Sequence, residues 1–172
     1  MSFWIHAFCN DSVAAVTPQE LAAGIAERLS LLTFLFCPAE EEEPSEVLER
    51  LKIEDRSEDQ AFCVFLMHYR RDAAGFIRIE RNDRAAIEEL DQQVLARRPE
   101  PAVARVRKLL ADAKEDVSFG LKAHDVEAMG FPLAIAAAAF LVARAGGVIQ
   151  SGSYSWMIPR GREVEFIAEI QA

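Results

Sequence analysis

At 172 residues, 51% hydrophobic and 27% charged, the chain has the size and composition of a single globular α+β domain that buries its own core, which excludes a disordered segment. A formal net charge of −9 excludes a general nucleic-acid binder, which needs a concentrated basic surface. The three cysteines, Cys9, Cys37 and Cys63, are widely spaced with no C-x-x-C pair; this excludes a zinc ribbon and a thioredoxin-type motif and fits a reducing, cytoplasmic setting.

The charge is unevenly placed. Between Ala39 and Gln60 ten acids face three bases, a net −7 in 22 residues that leaves −2 for the other 150.

Phe3 to Cys9 is apolar on both alternating faces apart from His6. With no basic residue ahead of it, it reads as a strand inside a sheet rather than a signal peptide. Thr17-Pro18-Gln19-Glu20 is a capping box with proline at the first helical position, and Leu21, Ile25 and Leu29 carry the apolar stripe of a helix to about Ser30. The apolar run Leu31 to Cys37 reads as a short buried strand, with extension of the preceding helix as the alternative. Pro44-Ser45 opens a short helix whose stripe is Val47, Leu48 and Leu51.

Ala61 to Tyr69 is the most hydrophobic run and reads as a central strand. It forms a hairpin with Phe76 to Arg81, where Ile77 and Ile79 alternate with Arg78 and Glu80. Asn82 or Asp83 caps a helix carrying Ile87, Leu90 and Val94; Pro99 and Pro101 end it and start another with Val103, Val106 and Leu110 inward. Val117, Phe119 and Leu121 mark a further strand. The 16 uncharged residues from Ala128 to Ala143 contain Gly130 and Pro132 and fall short of the ~20 that span a bilayer. They predict a buried alanine-rich helix, closed by Gly146-Gly147. Val148 to Gln150, Tyr154 to Ile158 and Glu163 to Ile170 complete a β-meander. The predicted order, β-α-β-α-β-β-α-α-β-α-β-β-β over residues 1–172, implies an antiparallel or mixed sheet with helices on one side.

No recognisable catalytic motif appears. His6 and Cys9 lie three apart on a strand, and Cys63 and His68 five apart, so each pair points to opposite faces and neither chelates a metal nor forms a nucleophile–base pair. A thiolate partner for Cys63 would have to be His6, from a neighbouring strand. His124, Asp125 and Glu127 share a polar loop suited to acid–base work or to simple solvation. P-loop, dinucleotide and nucleophile-elbow signatures are all missing, and no cofactor is indicated.

Three functional readings remain. The leading one is a non-enzymatic protein-binding module, such as an inhibitor or a toxin-immunity protein, that engages a basic protein partner through Glu40, Glu41, Glu42 and Glu43, with Tyr154 and Trp156 as interface anchors. The plainer reading of that segment is a solvated loop; for Tyr154 and Trp156, which share one strand face with Ile158, burial against the alanine-rich helix is an equal alternative. A second reading is a small-ligand binder or enzyme with a pocket lined by His6, His68, His124, Arg78 and Arg81; the arginine cluster also includes Arg70, Arg71 and Arg84, and its plain reading is pairing with the chain's own acids. A third is a homo-oligomer joined through the Tyr154–Trp156 hairpin.

Overall fold

The computed structural model describes residues 3–39, 42–58, 63–71, 75–82, 102–152 and 155–169. These residues form an α+β domain: eight antiparallel strands in one sheet, packed with six helices. The strands are β1 (Phe3–Cys9), β2 (Lys52–Asp55), β3 (Cys63–His68), β4 (Phe76–Asn82), β5 (Glu115–Leu121), β6 (Gly147–Ser151), β7 (Ser155–Arg160) and β8 (Glu163–Glu169), in the order β2-β3-β4-β5-β1-β6-β7-β8. The helices are α1 (Pro18–Ala26), α2 (Leu29–Phe36), α3 (Pro44–Arg50), α4 (Ala102–Ala111), α5 (Ala123–Glu127) and α6 (Gly130–Ala145).

Two predicted features are reproduced in detail. Thr17 and Glu20 form the full capping box of α1, with the Glu20 amide donating to Thr17 Oγ1 at 3.2 Å and the Thr17 amide donating to Glu20 Oε2 at 2.9 Å. Arg144 of α6 donates to the other Glu20 oxygen at 2.8 Å. The alanine-rich helix α6 is buried along nearly its whole length. Gly24 of α1 makes room for the one large ring of α6 at their contact: a Cβ there would lie 2.2 Å from the Phe140 ring. No described helix is long and apolar enough to cross a membrane.

Four expectations are corrected. Leu31 to Cys37 belongs to a second helix, α2, not a strand. Leu29, Leu32 and Thr33 are buried at helical spacing, and the Thr33 hydroxyl donates to Leu29 O at 2.8 Å, a bond one turn back that an extended chain does not make. Cys63–His68 lies one strand in from the sheet edge rather than at its centre, which β5 and β1 hold. Cys63, Phe65 and Met67 are buried while Val64, Leu66 and His68 are half-buried. The loop at His124 is the short helix α5. Finally, helices cover both faces of the sheet. The larger core joins Ile5, Ala7 and Cys9 of β1 to α1, α2, α3 and α6; a smaller one on the second face joins Phe8, Val148, Trp156 and Ala168 to Val103, Val106 and Leu110 of α4. The edge strand β2 carries no alternation and was not predicted. The predicted helix with Ile87, Leu90 and Val94 lies outside the described residues.

Candidate functional site

The acidic segment neutralises itself in part. Glu42 accepts from Arg50 and lies 4.0 Å from Arg71, which donates to Glu46 at 2.9 Å. Glu54 accepts from Lys52 at 2.8 Å and from Arg56 at 3.1 Å. The Lys52 ammonium, with His68 and Arg56 adding, holds the Glu54 carboxyl below its usual range. Glu43 is exposed at the N-cap of α3; Glu40 and Glu41 lie outside the described residues.

Immediately before this segment, α2 turns large apolar side chains to solvent. Leu31, Phe34 and Leu35 are 40%, 84% and 47% exposed, and their spacing puts them on one side of the helix. Phe36, at its end, packs edge-on to Phe166 of β8, which is itself 41% exposed. The sequence concealed this patch because the same apolar run is what a buried strand looks like.

The three histidines do not converge. His6 on β1 and His68 on β3 are separated by β5 and β4, and His124 sits on α5. Each faces its own carboxylate: His6 Nδ1 lies 3.1 Å from Asp116, His68 Nε2 3.7 Å from Glu54, and His124 Nε2 3.4 Å from Asp125. Arg78 and Arg81 are three apart on β4 and point to opposite faces. Arg78 pairs with Glu80 at 2.7 Å, while Arg81 flanks a small apolar cavity beside Val64, Ile79 and Leu141. His6, His68, His124, Arg78 and Arg81 therefore do not all line one pocket, and the described residues hold no cluster of three metal-ligating side chains. Trp156, expected as an interface anchor, is fully buried and stacks on Phe8 at 5.9 Å, so it holds the second core together. Tyr154 and Arg84 lie outside the described residues.

Two polar constellations are built around buried carboxylates. In the first, Asp125 is fully buried, accepts from the Tyr69 hydroxyl at 2.6 Å and from the Lys122 amide at 2.9 Å, and so fastens β3 to the start of α5. Burial and this bond push the Tyr69 phenol well above its ordinary value. Both carboxylate oxygens are occupied by structural donors, so the group is a fastening rather than a catalyst.

The second lies on the far face of the sheet. His6, Ser118 and Glu80 sit side by side in register across β1, β5 and β4. His6 Nδ1 is 3.1 Å from both oxygens of Asp116, itself 3% exposed. A carboxylate accepts only, so it holds the imidazole proton on Nδ1 and makes Nε2 the basic nitrogen. Asn82 donates to Ser118 Oγ at 3.3 Å. Serine, histidine and aspartate thus meet, but not as a hydrolytic triad: the Ser118 hydroxyl is buried and held by Asn82. Only His6 of this group was nominated from sequence. Asp116 and Ser118 do alternate with the apolar row of β5, but a register linking residues 110 apart leaves no local trace.

The two buried thiols are poor nucleophiles. Cys9 and Cys63 are buried and Cys37 is exposed. Burial, with Glu115 and Asp116 adding, pushes the Cys9 thiol up to about 12, and burial also raises Cys63. A disulfide-exchange reagent at pH 8 is expected to titrate Cys37 alone in the native protein and all three thiols in urea. Because the folded Cys9 value is raised, its contribution to stability is complete below the ordinary thiol value of 9.0 and is lost as pH climbs from there toward 12. Urea midpoints measured from pH 8 to 11 should fall across that window.

No known protein family, curated protein or solved structure matches the chain.

Proposed function

We propose that this protein is a non-enzymatic protein-binding module whose docking surface is the outer side of α2 together with the acidic segment that follows it. The observation that carries the reading is Phe34, 84% exposed between Leu31 and Leu35 on an uncharged helix. A contiguous group of exposed apolar side chains is uncommon on a monomer's surface unless something covers it. The occupant that fits is a segment of a basic protein presenting apolar side chains flanked by lysine or arginine. Apolar contact with α2 supplies affinity, and the net −7 between Ala39 and Gln60 speeds and orients the encounter. The same charge disfavours an anionic membrane surface as the occupant. An inhibitor or an immunity protein acting in the cytoplasm on a basic toxin is the kind of role this surface suits.

The test places a photo-crosslinking amino acid at position 35 in the native cell and identifies what it captures. The expected product is one protein cross-linked through a lysine- or arginine-rich segment. Its purified complex should weaken at least about tenfold with Phe34→Glu. Replacing Glu40 to Glu43 by glutamine should lower the association rate and flatten its salt dependence. Cross-links only to further copies of this chain would replace the reading with self-association; cross-links only to lipid would replace it with membrane docking.

A further inference from the structure

Away from the docking surface, the end of the second sheet face not covered by α4 carries an arrangement that neither core uses. Trp4 of β1, Gly120 of β5 and Arg78 of β4 lie in one register row, with His6, Ser118 and Glu80 in the next. Trp4 remains 36% exposed. The benzene half of its indole occupies the space above Gly120, where a Cβ would come within 3.1 Å of the ring. The glycine therefore provides a seat for the tryptophan. Two residues along β1, roughly 7 Å away, the His6 side chain is 26% exposed, with Asp116 fixing its ring from behind. The Arg78 and Glu80 side chains, 47% and 19% exposed, border the same spot. Gln150 is the register neighbour of His6 on the other side, and its buried Oε1 has no hydrogen-bond partner among the described residues.

The chemistry on offer is one apolar ring beside a fixed row of donors and acceptors: guanidinium, carboxylate, imidazole and amide. Arg78 pairs with Glu80, Asp116 is engaged by His6, and the Lys122 ammonium, one row further along, lies over the Phe76 ring, so each of these charges already has a partner. A ligand that matches has an apolar C–H face for the aromatic ring and a rim of hydroxyls that both donate and accept, without net charge. That is a sugar ring in its pyranose form. We propose that the Trp4 end of this face is a binding site for a neutral hexose unit, with Trp4 stacking on the sugar and His6 and Glu80 bonding its hydroxyls. The reading is independent of the α2 surface and stands or falls without it.

Tryptophan fluorescence provides the readout, because the other tryptophan, Trp156, is fully buried and Trp156→Phe removes its background. The protein is titrated with glucose, galactose, mannose, N-acetylglucosamine and their β-1,4-linked disaccharides, with AMP as a nucleotide control. The expected result is a saturable change with at least one sugar. By calorimetry, Trp4→Ala should abolish the binding, Trp4→Phe should keep its affinity within a few-fold, and His6→Ala should weaken it about tenfold, all with unchanged circular dichroism. No response to any sugar at tens of millimolar would overturn the proposal. So would a response that survives Trp4→Ala by calorimetry, or one given by AMP alone, which would make the platform a nucleobase site.

Discussion

Gly147→Ala is expected to lower the stability of the domain by about 3–5 kcal/mol. Gly147 opens β6 at a φ of +125°, and a Cβ there would stand 1.9 Å from the carbonyl oxygen of Phe8. The obstacle is main chain of β1, the strand to which β6 is paired, so no side-chain rotation relieves it. Either the β1–β6 ladder opens at that point or β6 shifts, and both disturb the middle of the sheet. Gly161→Ala is the control. Gly161 also has a positive φ, +62°, but faces open space, so alanine there should cost only about 1 kcal/mol, the conformational penalty alone. Urea unfolding followed by far-ultraviolet circular dichroism separates the two. Equal effects would show that backbone conformation, not the approach to Phe8, makes the glycine necessary.

The second large effect is expected at Asp125. Asp125→Ala removes the acceptor for the buried Tyr69 hydroxyl and for the Lys122 amide at the start of α5. Two donors lose their partner at once, at about 3 kcal/mol in total. Tyr69→Phe, which keeps the ring and leaves the carboxylate its amide partner, should cost about half as much. The double variant should lose less than the sum, since each residue's main partner is the other. Additive losses in urea titrations would mean that the two residues stabilise the fold separately. Gly130 belongs to the same junction, because a Cβ there would approach both the Tyr69 hydroxyl and the Asp125 Cβ to 2.7 Å.

These junctions also mark where sequence reasoning succeeded and where it stopped. Elements whose signals are local were legible: the capping box at Thr17 and Glu20, the alanine run of α6, the inward row Val103, Val106 and Leu110, and the alternation of Ile77 with Arg78. The run Leu31 to Cys37 failed because an uninterrupted apolar stretch has no period. It marks a buried strand as readily as a helix with one face left open, and only the surroundings of α2 decide. Ala61 to Tyr69 was placed too near the centre for a related reason. Hydrophobic content implies cover, but Leu66 and His68 are half-buried beside the edge strand β2. The candidate sites were less legible still. Residue type singles out three histidines, and adjacency in the chain puts Asp125 beside His124, but the partners Asp116 and Glu54 follow from sheet register alone. The exposed Trp4 depends on Gly120, a residue whose importance is the side chain it lacks.

The position of β1 has a kinetic consequence. This strand is hydrogen-bonded on one side to β5 and on the other to β6, partners more than 100 residues away in the chain. The β2–β3–β4 ladder, in contrast, closes within about 30 residues. Loop closure delays contacts between distant segments, and sheets dominated by them fold on millisecond-to-second times. The middle of the sheet is therefore assembled last. Until Gly147 to Ser151 arrives to flank it, the apolar strand Phe3 to Cys9 has an open edge, which makes the half-made chain the form most prone to aggregate.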